Sequence, residues 1–474
     1  MRLSPLLTDL YELTMMQGYF LNDRNPRVVF DMFFRRQPFH GGFSLFAGLD
    51  DLLDGITGLS FSQDELEYLD SLKLFRREFL ELLADFRFQG DIYSVEEGTP
   101  VFPNEPLIRV HGGLLETQLV ESVLLTIINF QSLIATKASR ILLASHGGNI
   151  VEFGLRRAQG VDGALSAARA AYIGGASATS NTLAGKLYGL PVRGTMAHSW
   201  VMAFDNELES FERYAELYPD MSVLLIDTYD TLGSGLANAI RVGRILKAKG
   251  KRLGVRLDSG DLEYLSKRVR RELDEAGLND ATIFVSNELD EEIIHELVTA
   301  GSPIDGWGVG TQLVTGGSEA AFSGVYKLVA KEENGEMIPT IKISNNPEKS
   351  TTPGIKQLYR YYDAQGTPLG DLLALEEENH PKDGPVVFHH PLYEERSFTL
   401  RDYAERRPLL TQVVRAGRRI SPREQLPAVR ERAIELVHHL DETYKRLLNP
   451  HIYKVSLSHR LKELKLSMLH SDHR

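Results

Sequence analysis

The reading of the fold turns on Leu190-Pro191-Val192-Arg193-Gly194-Thr195-Met196-Ala197-His198-Ser199-Trp200. A short apolar run ending in small and polar residues reads as a buried strand, here Pro191–Thr195, that delivers Thr195 and His198 to its carboxyl end. In α/β architectures that end carries the chemistry. A single histidine at such a place is far more often an ordinary packed residue than a catalytic one, so its neighbours must decide.

Working outward from it, short apolar runs alternate with helical segments. The runs are Ile150–Phe153, Ala176–Thr179, Pro191–Thr195, Ser222–Ile226, Leu253–Leu257, Ile283–Val285, Trp307–Val309 and Val325–Val329. About eight parallel-strand candidates is the number that a closed β/α barrel needs. Between them Asp162–Ile173, Leu236–Lys249, Asp261–Glu275 and Asp290–Thr299 carry good helix formers, and Gly174, Gly250, Gly277 and Gly301 stand at their ends. An open doubly wound sheet is the alternative; it ranks second because no G-x-G-x-x-G follows the first strand of the series.

Polar residues fall where the runs end: Glu152 to Arg157, Thr195 and His198, Asp227 to Asp230, Arg256 to Asp261, Ser286 to Glu288, and Gly308-Val309-Gly310-Thr311. A charged residue closing a strand is usually a solvated cap. Gathered on one rim, however, these groups suit an anionic phosphorylated substrate. Arginines pair with phosphate oxygens, backbone N–H groups of Gly308–Thr311 form an anion nest, and aspartates hold Mg²⁺ or ribose hydroxyls.

The flanks read differently. Residues 6–20 place Leu6, Leu10, Leu13 and Met16 at helical spacing, with Tyr11 off the main stripe as a partly buried aromatic. Val28 to Phe34 reads as a strand, Ser62 to Glu65 as a capping box, and Phe86 to Val110 as short strands broken by Gly and Pro. Glu116 to Leu143 is the longest helical stretch. Toward the C-terminus, Asn334-Gly335 signals a hairpin and Tyr359–Leu369 a second one around Gly366. Ser344–Lys356 is either a solvated loop or a flap over the rim. Ser421–Leu448 and Leu457–Leu469 read as helices, and 371–400 as irregular strands. This divides the chain into an N-terminal α+β part (1–148), a barrel (149–330) and a C-terminal part (331–474) packing on the first.

Composition limits the function. Across 474 residues, 53 Lys and Arg stand against 65 Asp and Glu, a net charge of −12, which argues against broad nucleic-acid or anionic-membrane binding. The absence of cysteine excludes disulfides, thiolate zinc sites and thiol nucleophiles. No signal-peptide core begins the chain and no run of membrane-spanning length is expected, so a cytoplasmic enzyme is the default.

The motifs LLTDLYELTMMQGYF, EFGLRRAQG, GTMAHSW, GVRLDSGD and GVGT, followed by SNNPEKSTTPGIK, closely resemble the nicotinate phosphoribosyltransferases, in the same order from the first residues to about Lys356. The resemblance implies an irregular α/β barrel with a β-rich α+β domain assembled from both ends of the chain. It also implies homodimers with shared active sites. The implied reaction joins nicotinate to phosphoribosyl pyrophosphate, giving nicotinate mononucleotide and pyrophosphate in NAD salvage. ATP hydrolysis is coupled to it through a phosphohistidine, which carries over to His198. Tyr11, Thr195 and Arg256 would line the nicotinate pocket, and Thr311, with Gly308 and Gly310 before it, would contact phosphoribosyl pyrophosphate. By analogy with related nicotinamide enzymes, Phe153 would stack on the pyridine, and Arg156 and Asp258 would serve the substrates, Asp258 catalytically. ATP as co-substrate and Mg²⁺ are the implied cofactors.

The chemistry agrees with these residues. Loss of pyrophosphate leaves oxocarbenium character at the ribose, so the task is to hold diphosphate and pyridine nitrogen in line. That nitrogen is already a nucleophile, so no strong base is needed. A nicotinamide transferase is the nearest alternative. A phosphate-binding barrel lyase or isomerase is the next, and it gives His198 and Tyr11 no reason to be there.

Overall fold

The computed structural model describes residues 3–471 except 345, 347, 348, 379–383 and 394. The chain forms two compact units: Ile134–Ala320, and a second made of the residues up to Leu133 together with those from Ala321 onward.

The Ile134–Ala320 unit carries six barrel strands: β1 (Asn149–Glu152), β2 (Ala178–Thr179), β3 (Val223–Leu225), β4 (Gly254–Leu257), β5 (Thr282–Asn287) and β6 (Gly306–Val309). All pairings are parallel, in the order β2-β1-β6-β5-β4-β3. A lone parallel bridge, Thr179↔Val192, adds a seventh stave of one residue beside β2. Followed around the sheet this is the chain order of a β/α barrel, left open between Val192 and β3. The expected α/β class with an irregular barrel is the class found.

Two of the eight expected staves behave otherwise. Pro191–Thr195 is not a strand: Thr179 donates its N–H to the Pro191 carbonyl at 3.0 Å, Arg193 donates to Thr179 at 3.0 Å, and pairing stops there. Val325–Val329 lies in Gly324–Glu333, an antiparallel strand of the other unit paired with Arg27–Phe34. Lys327 interrupts that run, whereas a parallel barrel strand, covered on both faces, reads as mostly apolar sequence.

Helices alternate with the strands as their caps dictate. Asp261 accepts from the Tyr264 N–H at 3.0 Å, Asp290 from Glu292 and Ile293 at 3.0 and 2.9 Å, and Asn181 from Ala184 at 3.1 Å. Lys137 and Arg140 both reach Glu291, at 2.5 and 2.8 Å, all three buried. Burial alone would raise the Glu291 carboxyl, but the two cations hold it below the usual carboxylate range. Contrary to expectation, one helical stretch, Leu114–Ala144, is long and apolar enough to cross a membrane. Its buried window and its buried Gln131, Lys137 and Arg140 mark a core helix.

The other unit holds two large sheets and a two-stranded one, Ser44–Leu45 with Pro100–Val101. The first, antiparallel throughout, runs Glu336–Pro339, Gly324–Glu333, Arg27–Phe34, Ile108–Gly113, Asp91–Ser94, Thr411–Arg415 and Arg418–Arg419. The second contains the Lys356–Tyr362/Pro368–Leu375 hairpin, with Gly366 at φ +82° in its turn. Asn334 and Gly335, at φ +53° and +83°, make the first predicted hairpin turn. The predicted Ser62 capping box is present in both halves. The Ser421–Leu448 helix is shorter than expected, Leu426–His438, with a separate turn at Glu442–Lys445.

Candidate active site

At the carboxyl end of β4, Arg256 organises the rim. Its guanidinium donates to Thr195 Oγ1 (2.7 Å), to the Met196 carbonyl (3.2 Å), to Ser286 Oγ (2.9 Å) and to Asp258 Oδ1 (3.2 Å). Ser286 in turn donates to Asp258. Strand alternation explains the placement. On β4, Val255 and Leu257 are fully buried, so Arg256 projects the other way.

Gly194–Ala197 leaves the barrel as irregular chain, and His198 opens the short helix His198–Met202. The His198 ring hydrogen-bonds through Nδ1 to Thr228 Oγ1 at 3.1 Å, while Nε2 lies 3.8 Å from Asp258 Oδ2. Its side chain is 41% exposed, so the imidazole is accessible and steered on both nitrogens. Asp227 sets the turn after β3, where Oδ2 accepts from the Asp258 N–H at 2.8 Å and from Ser259 Oγ at 2.7 Å. Its Oδ1 is buried without a hydrogen-bond partner.

Phe153 follows β1 and donates its N–H to the Val309 carbonyl at 2.8 Å. The Arg256 guanidinium carbon stands 5.8 Å from the centre of its ring, and Phe284 packs at 5.8 Å from the same ring. Glycine is required at 308, because a Cβ there would stand 2.6 Å from the Phe153 ring. Thr311 donates to Glu288 Oε1 at 3.1 Å. Arg156 is exposed in the turn after β1. Beneath this turn Glu152 is buried, accepts from Thr179 Oγ1 at 2.5 Å and from the Gly154 N–H, and has its carboxyl raised by burial.

The barrel unit therefore brings together Thr195, His198, Arg256 and Asp258 in direct contact, with Phe153 against Arg256. Thr228, Asp227 and Ser286 complete the network. Sequence reading placed them on the rim without singling them out, since a short hydroxyl or carboxylate after a strand carries no distinguishing local pattern. Among the described residues no group of three or more His, Asp or Glu forms a metal cluster.

Tyr11 belongs to the other unit, on the helix Leu10–Leu21, and is about half exposed. Beside it Glu12 is buried, with Oε2 accepting from Gln118 Nε2 at 2.6 Å and Oε1 unpartnered. Burial, the largest cause, pushes the Glu12 carboxyl up to about 7. That unit also contains a cavity of about 580 Å³ lined by Arg35, Arg36, Lys349, Lys356 and Lys465, which sequence reading missed. Lys356 is spent on Asp31 (2.8 Å) and on the Thr352 and Gly354 carbonyls. Burial first, then Lys356, lowers the Lys465 ammonium to about 8.

Fold and rim together define the chain as an enzyme of the α/β-barrel phosphoribosyltransferase class. Profiles described as the nicotinate phosphoribosyltransferase N-terminal domain, family and C-terminal domain match residues 6–129, 149–366 and 355–465. The nicotinate phosphoribosyltransferase of Bacillus subtilis is 42% identical over 468 residues, covering 98% of this chain and 95% of the relative. The human one is 35% identical over 519 residues, covering 97% and 96%. The crystal structure of human nicotinic acid phosphoribosyltransferase superposes with a TM-score of 0.86 at 32% identity, covering 97% and 99%. The chain belongs to the nicotinate phosphoribosyltransferase family.

Proposed function

We propose that this chain joins nicotinate to phosphoribosyl pyrophosphate, that ATP drives the reaction through a phosphohistidine at His198, and that two copies share each site. The observation that carries the first part is Arg256, a guanidinium held in place by Thr195, Ser286 and Asp258 beside the aromatic face of Phe153. A planar aromatic carboxylate needs both features, a cation for its charge and a ring for its face. Nicotinamide offers no charge for Arg256, which favours the acid. The pyridine nitrogen forms its bond to ribose C1 as the C1–O bond to pyrophosphate breaks. The protein's part is positioning and stabilising the departing diphosphate.

At His198 the proposal takes the tautomer in which Nδ1–H donates to Thr228, which leaves the lone pair on Nε2. In the proposed step Nε2 bonds to the γ-phosphorus as the bond to the β-bridging oxygen breaks, and ADP leaves with the electron pair. Asp258, 3.8 Å away, stabilises the charge that then develops on the ring. Thr311, with the Gly308 and Gly310 backbone, and exposed Arg156 are assigned to phosphate contacts. The unpartnered buried Oδ1 of Asp227 fits a Mg²⁺ that enters with the diphosphate, which one or two carboxylates suffice to hold. The setting proposed is the cytoplasm.

Tyr11 is assigned to the neighbouring copy's base pocket. Two-fold symmetry makes two equivalent composite sites. Mixing inactive Tyr11→Ala with inactive Arg256→Ala protomers, with exchange verified independently, should return about a quarter of wild-type activity, since about half the dimers are mixed and each has one intact site. No recovery after exchange would place Tyr11 in its own chain's site. The reaction itself is tested by pyrophosphate release from nicotinate or nicotinamide with phosphoribosyl pyrophosphate, with and without ATP. Preference for nicotinamide, or no release, would overturn the reading.

A further inference from the structure

A closed barrel fills its interior with side chains; this one does not. Inside the Ile134–Ala320 unit lies a cavity of about 870 Å³. One end is bounded by Phe153 and Thr195, and the other by Asn149, Thr282 and Gly306, the first residues of β1, β5 and β6. Its walls include both lips of the gap in the barrel: Pro191 to Thr195 on one side, Asp220, Met221 and Val223 on the other. The cavity thus connects the missing stave with the floor of the base pocket, where Thr195 accepts from Arg256 at 2.7 Å.

We infer that this gap is a side entrance to the base pocket, admitting a small aromatic carboxylate through the barrel wall while the phosphorylated substrate occupies the rim. The inference rests on the nicotinate reading above. Val151, Val223 and Phe284 give the passage apolar walls that suit a pyridine ring. Charge is supplied at the lip. Asp220 is paired with Lys251 at 2.6 Å, Arg252 lies 4.0 Å from Asp280, and Asp305 accepts from the Ile283 N–H at 2.8 Å. Arg193, exposed and two residues before Thr195, makes no ion pair among the described residues. It is placed to draw a carboxylate inward and pass it to Arg256. Such a path would leave the base pocket reachable while a diphosphate-bearing substrate is seated on the rim.

The experiment measures nicotinate association and dissociation by stopped-flow tryptophan fluorescence. The rim is filled beforehand with ribose 5-phosphate and pyrophosphate, which do not react with nicotinate. Val223→Phe narrows the gap from the edge strand, Arg193→Glu reverses the lip charge and Arg193→Lys preserves it. In Val223→Phe both rates should fall roughly ten-fold with the dissociation constant unchanged, the signature of hindered access and not of lost binding. Arg193→Glu should lower association several-fold and abolish its salt dependence, and Arg193→Lys should behave as wild type. Unchanged rates in Val223→Phe and Arg193→Glu, or slowing seen only when the rim is empty, would overturn the passage alone. If Val223→Phe does not fold, the Arg193 pair decides. Wild-type protein that binds no nicotinate at all would overturn the transferase reading instead.

Discussion

The guanidinium of Arg256 donates to Thr195 Oγ1 at 2.7 Å across a sequence separation of 61 residues, tying the end of β4 to the irregular chain that leads to His198. Because Nε, Nη1 and Nη2 each have a separate partner, the fork is oriented before any substrate arrives. Arg256→Lys keeps the charge and loses the fork. It should lower kcat/KM for nicotinate on the order of 100-fold, equivalent to about 2.7 kcal/mol. Activity near wild type would make the arginine a structural tie. Thr195→Val, which leaves one guanidinium proton without its hydroxyl acceptor, should fall between the two.

ATP should label His198 with a phosphoryl group that is lost in acid and kept in base, because a phosphoramidate hydrolyses once protonated. His198→Ala should lose both the label and the stimulation by ATP while retaining slow ATP-independent turnover, since the base pocket is intact. Label surviving in His198→Ala would place the phosphoryl group elsewhere.

Gly308→Ala tests the stacking wall without removing a polar contact. The new methyl would lie 2.6 Å from the Phe153 ring and 3.0 Å from that of Phe284, so Phe153 must turn. The KM for nicotinate should rise roughly ten-fold, with a stability cost of about 1–3 kcal/mol from overpacking. Equal losses toward phosphoribosyl pyrophosphate would show that the damage is not confined to the base.

Glu12 gives a pH prediction. Its carboxyl is raised to about 7 in the folded protein from an ordinary 4.5, chiefly by burial. The folded state therefore holds a proton that the unfolded state releases, and this contribution falls as pH rises from about 4.5 to 7. Glu12→Gln removes the ionisation, so it should raise stability by roughly 1–3 kcal/mol at pH 8 and by much less at pH 5. Denaturant midpoints of both proteins at the two pH values check this. A gain equal at both would show that Glu12 is not the titrating group.

How far the sequence could be read follows from these same elements. Helix starts were legible because caps act within three residues: Ser62 caps as its spacing predicts, and Asp261 and Asp290, which open the expected helical segments, are their N-caps. The barrel strands β1 and β3 to β6 were legible as short, mostly apolar runs, broken only at Arg256 in β4 and followed by polar residues. Pro191–Thr195 misled because its composition is strand-like while proline has no N–H to give a ladder, and only Val192 bridges. Val325–Val329 misled because an apolar run does not say which sheet it joins. The contacts of His198 with Thr228 and of Arg256 with Ser286 each cross 30 residues, and no local pattern records them. The basic cavity was hidden for the same reason: Arg35 and Lys349 meet only through tertiary folding.

The pairing of Arg27–Phe34 with Gly324–Glu333 has a consequence for synthesis. Val28 faces Lys331, so partners about 300 residues apart must meet to complete that sheet. On a ribosome the barrel unit, contiguous from Ile134 to Ala320, is synthesised before Gly324–Glu333. Until then Arg27–Phe34 has Ile108–Gly113 on one side and an open edge on the other, an edge that carries Val29, Phe30 and Met32. Such an edge recruits other strands. The nascent chain thus spends most of its translation with one edge of that strand unpaired, the stage at which mispairing with other chains is easiest.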